Sequence, residues 1–157
     1  MKKENLKDTG GAMGVSSFYT QAAKAGNILY LAGIGGFDSD RHKIIMSFDD
    51  IPDEECKKLR TGDWHYDEIQ EQIMAQTWWT YMQMKKVLEA AGSSLNDIMQ
   101  TIIFIQDIRK NFAPFDRVRK MFVQDPPPST ILEVTRLGIS DELLVEISAI
   151  AIIPDDK

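Results

Sequence analysis

A single carboxylate stands inside an otherwise apolar run, Leu144-Val145-Glu146-Ile147. Burying a charge alone is costly, so this residue carries either a function or a structural ion pair. If Val145 and Ile147 face a core, Glu146 faces the opposite side of its strand. In an isolated subunit that side meets solvent; in an oligomer it lines a cleft between copies. A carboxylate in such a cleft can serve as a general base on water, and partial desolvation raises its pKa toward a useful range. A second concentration of chemistry is Arg60, Asp63, Trp64, His65 and Tyr66, a cation, a carboxylate, an imidazole and two aromatic rings within seven positions. Such a group could close over a cleft and hold a flat or aromatic ligand. The plainer reading of His65 is a solvated loop histidine.

The remaining reactive residue types point to little. His42 reads as a surface residue, and Cys56, set among charges, reads as an exposed loop thiol rather than a nucleophile. Two histidines, one cysteine and no tight ligand spacing give no reason to expect a metal. Gly33, Gly35 and Gly36 do not make a dinucleotide fingerprint, because no helix follows them and the spacing is wrong. A formal net charge of −6 makes nucleic acid an unfavourable main partner. The start of the chain has no apolar stretch behind Lys2 and Lys3, so it is not read as a signal peptide, and no run is apolar enough for a membrane span. With one cysteine, no internal disulfide can form, and a cytoplasmic, reducing location is expected.

The elements that must position these groups follow from periodicity. At 157 residues the chain suits one domain. Residues 1–17 read as a mobile or loosely attached lead-in, followed by a single domain over 18–157. Residues 19–26 read as a strand or half-strand, and Gly26-Asn27 signals a turn into the apolar strand Ile28–Ala32. Residues 37–67 are irregular and charged: an enlarged loop, with a short strand near 43–46 and a helical turn near 53–59. From Tyr66 to Ala91 the period becomes 3.6, with Ile69, Ile73, Thr77, Met84, Val87, Leu88 and Ala91 on one stripe. Asp63 or Thr61 could cap that helix, and Gly92 supplies its stop. Of the adjacent Trp78 and Trp79, one is expected in the core and the other toward a partner or pocket. Met74, Met82, Met84 and Met99 are expected to fill core. Residues 101–105 read as a strand. Residues 112–122 form a second helix, with Phe115, Val118, Met121 and Phe122 on its apolar face. Asp125-Pro126-Pro127-Pro128 cannot be helical. Residues 130–134 and 144–153 read as two further strands. Two helices can cover one face of a mixed sheet, an α+β architecture; the other face must be buried otherwise, and subunit association is the usual answer.

These segments together resemble the RidA (YjgF-type) superfamily. The resemblance runs through Tyr19-Thr20-Gln21-Ala22, Gly26–Gly33, Gln76 with the helix ending at Gly92, and Asp97-Ile98 leading into Thr101–Asp107. It continues through Phe112-Ala113, Phe122, Pro127–Thr130, Glu133-Val134 with Leu137, and Val145–Ala151. It implies a chorismate-mutase-like fold, a homotrimer with small-molecule sites in the clefts between subunits, and deaminase-type hydrolysis of enamines and imines without metal or bound cofactor. By the same resemblance Tyr19 lines the pocket, Glu146 holds the water and Thr130 faces it. The family's substrate-gripping arginine, in a Pro-x-Arg-Ser segment, has no counterpart in Pro126-Pro127-Pro128-Ser129-Thr130, where Pro128 takes its place. Proline offers no donor, whereas a guanidinium makes two parallel bonds to a carboxylate. Ile34 replaces a glutamine and makes the expected pocket more apolar. Another cation must then supply the grip, with Arg60, Arg117, Arg119, Arg136 and His65 as candidates, or the substrate lacks an α-carboxylate. The residues expected to contact substrate are therefore Ile34, Ser129, Arg60, His65, Trp64 and Arg136. Three functions compete: a divergent hydrolase acting on a C–N bond, a non-catalytic small-molecule-binding or regulatory trimer, and, least favoured by the charge, an RNA-directed nuclease.

Overall fold

The computed structural model describes residues 2–10 and 19–155. Among them the chain forms strands β1 (Lys3–Leu6), β2 (Ala22–Ala25), β3 (Ile28–Gly35), β4 (Phe37–Asp38) and β5 (Lys43–Ile44), then helix α1 (Trp64–Ala90). There follow β6 (Ile98–Ile105), helix α2 (Ile108–Phe122), β7 (Ser129–Glu133) and β8 (Val145–Ile152). Six strands make one sheet in the order β1-β2-β3-β8-β6-β7, and β4 and β5 make a separate hairpin. Neighbours in the large sheet run antiparallel except β6 and β7, which are parallel and are joined through α2. A parallel pair cannot be linked by a tight turn, so a helix has to make that crossover.

The alternation of β8 decides what the sheet faces. Val145, Ile147, Ala149 and Ala151 are buried with Leu29, Leu31, Ile103 and Ile105 against the helices. Glu146, Ser148, Ile150 and Ile152 therefore point the other way. On that open face, Ile28, Tyr30, Leu132 and Ile152 are exposed in the single chain, with Tyr30 at 48%.

The stripe read on α1 is half of what the helix buries. Ile73, Tyr81, Met84, Val87 and Leu88 pack on the sheet. Met74, Ala75, Trp78 and Trp79 pack on the opposite side against Ile45, Phe48, Ile51, Cys56 and Leu59. Residues 37–63 are thus a folded annexe on the outer surface of α1. Trp78 Nε1 donates to Asp53 at 3.1 Å, Trp79 Nε1 donates to the Phe37 carbonyl at 3.0 Å, and the Phe48 amide donates to Glu71 at 2.9 Å.

Several expectations are corrected here. Both tryptophans are buried, because the annexe supplies the outer wall that sequence periodicity did not reveal. Cys56 is fully buried rather than exposed, and burial, then the nearby Asp53, pushes its thiol up to about 11. Ile69, Met99 and Met121 are exposed, beyond the reach of either core. Lys3–Leu6, expected in the lead-in, pairs with β2; residues 11–17 of that segment lie outside the described residues. Helix α2 begins at Ile108 because Asp107 caps it, accepting from the Lys110 amide.

One side chain ties the layers together. Gln76, fully buried, donates to the carbonyls of Ile45 (3.0 Å) and Glu142 (2.8 Å) and accepts from the Leu144 amide (2.8 Å). Gly36 leaves it room, since a Cβ there would stand 2.7 Å from its Cβ. Gln76→Leu orphans three backbone groups and is expected to lower stability by about 3 kcal/mol. Urea unfolding with an unchanged slope is the measurement.

Candidate functional site

Opposite Ser148 of β8, strand β3 carries one residue too many: Leu31 pairs with Ala149 and Ile34 with Ile147, so Ala32 and Gly33 share one place. Such bulges re-aim the backbone and concentrate near sites. Here the bulge lays Gly33 beneath the Glu146 carboxyl; a Cβ on Gly33 would stand 2.7 Å from Glu146 Cδ and closer still to Oε1. Tyr19 completes the group, its hydroxyl donating to the Gly33 carbonyl at 3.0 Å. Glu146 and Tyr19 are both half-buried. Loss of solvent raises the Glu146 carboxyl above its ordinary value. Burial, and secondarily the charge of Glu146, raises the Tyr19 phenol. Among the described residues no cation forms a salt bridge with Glu146. The structural ion-pair reading of this residue therefore has no partner among the described residues.

Around the carboxyl, the register places Phe104 of β6 and Leu132 of β7 in the same row. The next row holds Ser148, Ile102 and Thr130. Thr130 thus shares the face of Glu146, but it lies two strands and one side-chain repeat away, roughly 12 Å. A carboxylate, a phenol and hydroxyls on an apolar wall can orient water and accept its proton; they do not supply the two parallel bonds of a guanidinium to a carboxylate.

The other expected contacts go elsewhere. Ile34 is corrected: it turns to the helix side and is 2% exposed in the core, opposite Ile147. Ser129 is engaged with Thr101 Oγ1 at 2.8 Å and donates to the Pro127 carbonyl at 2.9 Å. Arg60 is held by Asp49 (2.8 Å) and Glu71 (2.6 Å) in the annexe, across α1 from the sheet, and these carboxylates raise its pKa further. Trp64, 73% exposed, meets His65 edge to face at 5.6 Å at the free start of α1. The expectation that Arg60, Trp64 and His65 close over a cleft beside Glu146 is not met within the chain, because the annexe is anchored to the outer side of α1. Arg119 pairs with Asp116, and Arg136 with Asp141 at 2.8 Å. Arg117 is exposed on α2.

Sequence reasoning missed Gly33 as a site residue. A glycine ending an apolar strand is itself a bulge signal. Gly33→Ala is expected to displace the carboxyl and lower turnover by about 10²-fold with the fold retained, a kinetic comparison beside circular dichroism. Among the described residues, no three His, Cys, Asp or Glu side chains converge as a metal site, and no helix is long and apolar enough to cross a membrane.

The profile of the family described as endoribonuclease L-PSP matches residues 9–153. A RutC family protein from Pyrococcus horikoshii is 32% identical over 134 residues, 85% of each chain. A 2-iminobutanoate/2-iminopropanoate deaminase from the mite Dermatophagoides farinae is 27% identical over 138 residues, 86% of this chain and 85% of that one. Among solved structures, one from Klebsiella pneumoniae superposes with a TM-score of 0.80 at 28% identity, covering 87% of this chain and all of that one. RidA from an Antarctic Psychrobacter superposes at 0.69 with 25% identity, covering 96% and 99%. The mixed sheet with two helices on one face, the bulged strand under Glu146 and these matches lead to one conclusion: the chain belongs to the RidA (YjgF-type) superfamily, the family of the endoribonuclease L-PSP profile.

Proposed function

We propose that the protein is a small-molecule hydrolase of the deaminase type, acting on the C–N bond of an imine, enamine or related nitrogen compound. The observation that carries this reading is the half-buried Glu146 carboxyl, laid over Gly33 beside Tyr19, with no salt-bridge partner among the described residues. Water adds to the carbon of the C=N bond, and Glu146 takes one of its protons and passes it to the nitrogen. The carbinolamine hydroxyl then gives up the second proton to the nitrogen as the C–N bond breaks, so ammonia leaves and the carbonyl compound remains. The mite relative, described as an imine deaminase, supports this reaction class. The apolar open face, carrying Tyr30, Ile150 and Phe104 beside Glu146, supports a homotrimer in which a neighbouring copy closes the cleft and Thr130 meets the substrate from the adjacent subunit. The proposal places the protein in the cytoplasm, with no cofactor.

Ammonia release from freshly generated 2-iminobutanoate and from imines without a carboxylate tests the reading. Release above the buffer rate supports it, and no release from any imine removes it. The absence of arginine from residues 126–130 favours a second reading, a non-catalytic binding trimer. In that case a ligand protects the fold from heat and is recovered unchanged.

A further inference from the structure

The charges around the site favour one class of ligand. In the row of Glu146 the neighbours are Phe104 and Leu132, and in the next row Ile102 separates Ser148 from Thr130. The Tyr19 proton is spent on the Gly33 carbonyl, so the phenol presents its lone pairs. Hydrogen-bond acceptors and apolar carbon thus dominate these two rows, whose formal charge, Glu146, is negative.

The arginines are committed elsewhere or lie across the sheet. Four of the six arginines are bonded to carboxylates: Arg41 to Asp38, Arg60 to Asp49 and Glu71, Arg119 to Asp116, and Arg136 to Asp141. A guanidinium already neutralised by a carboxylate is a poor grip for a second anion. Arg109 and Arg117 lie on α2, which packs on the other side of the sheet from Glu146. Lys3 does share the open face, but β1 is three strands away and its register partners lead to Ile152, which puts it roughly 25 Å from Glu146. An anion brought to Glu146 would meet a like charge over an apolar wall, and residues 126–130, which the proposed neighbouring copy brings to it, hold no cation. A cation there gains the attraction that low polarity strengthens.

We infer that the Glu146 site selects a small, planar, cationic nitrogen compound without a carboxylate, an iminium or amidinium, and discriminates against imino acids. This rests on the proposed reading of Glu146 as the centre of the site and adds the charge class of its ligand. The cation lies along the carboxylate, its apolar part against Phe104 and Leu132. For an iminium this also places the electrophilic carbon beside the base that activates water.

The test uses two planar isosteres of opposite charge, benzamidinium and benzoate, with 2-oxobutanoate as a third probe, titrated calorimetrically into the purified full chain. Benzamidinium is expected to bind at least tenfold more tightly than either anion, and Glu146→Gln to abolish that preference without lowering the melting temperature. Equal or tighter binding of benzoate or 2-oxobutanoate by the wild-type protein overturns the inference, as does failure of all three to bind. A cation preference that survives in Glu146→Gln also overturns it. Selectivity in the wild-type protein decides the question even if the variant folds poorly. Its failure is separable from that of the hydrolase reading. Cation-selective binding without ammonia release from any imine leaves this inference standing and removes the hydrolase. Ammonia release from 2-iminobutanoate that benzoate inhibits and benzamidinium does not has the reverse meaning.

Discussion

Replacing Glu146 by glutamine is expected to cut ammonia release by roughly 10²- to 10⁴-fold, the range a positioned general base supplies. The amide keeps the size and most of the hydrogen bonding of the side chain, so the loss reports the missing proton acceptor. The pH dependence makes the assignment specific. Burial raises the carboxyl above 4.5, so activity is lost as pH falls through a midpoint above that value, and the glutamine variant has no such acid limb. The sign for stability is opposite. The folded state holds the proton more tightly than the unfolded chain, so this residue's stabilising contribution is complete below the ordinary carboxyl pKa. It is lost as pH rises through the raised value. Glu146→Gln is therefore expected to be no less stable than wild type at pH 7, with its relative advantage shrinking toward pH 4. Thermal melts across that window measure it. A variant that is inactive and also markedly less stable would mark Glu146 as structural.

Phe48→Ala carries the largest expected effect on stability. Its ring is fully buried among Ile45, Ile51, Cys56 and Leu59 of the annexe and Met74 and Trp78 of α1, and the Arg60 guanidinium stands 5.9 Å above it. Truncating a buried phenylalanine removes its transfer free energy and leaves a cavity, together about 3–5 kcal/mol. For a chain of this length that is a fall in melting temperature of roughly 10 °C. If residues 37–63 were a loose loop, the change would be near zero. Calorimetry distinguishes the two, and a single transition in both proteins shows that annexe and sheet unfold together.

Much of the fold was legible because its signals are local. The long helix, its Asp63 cap and Gly92 stop, and the apolar strands around Tyr30, Ile103 and Ile147 follow from period, capping and β-branched content. Glu146 stood out as a candidate for a local reason too: one carboxylate interrupts an apolar run. The annexe was not, because its apolar residues Ile45, Phe48, Ile51, Cys56 and Leu59 have no single spacing and are brought together by two 3₁₀ turns. The burial of both tryptophans and of Cys56 depends on that second core, so one of Trp78 and Trp79 was expected toward a partner or pocket and Cys56 was expected on the surface. Ile34 was placed in the pocket by the family resemblance, in which it replaces a glutamine. The bulge at Ala32–Gly33 reverses the alternation and sends it inward. The same bulge brings Gly33 under the carboxylate, so one irregularity hid both a core residue and a candidate site residue.

The place of β8 in the sheet has a consequence for how the protein is made. β8 lies between β3 and β6, although it follows every other strand of that sheet in sequence. During synthesis the two halves of the sheet emerge from the ribosome without the element that joins them, and the apolar edges of β3 and β6 stay open until translation reaches residue 152. A stalled or truncated nascent chain therefore displays two sticky ribbons for chaperones or proteases to find. Insertion of β8 zips the sheet and delivers Glu146 to Gly33 in the same event, so no partly built form brings the two together.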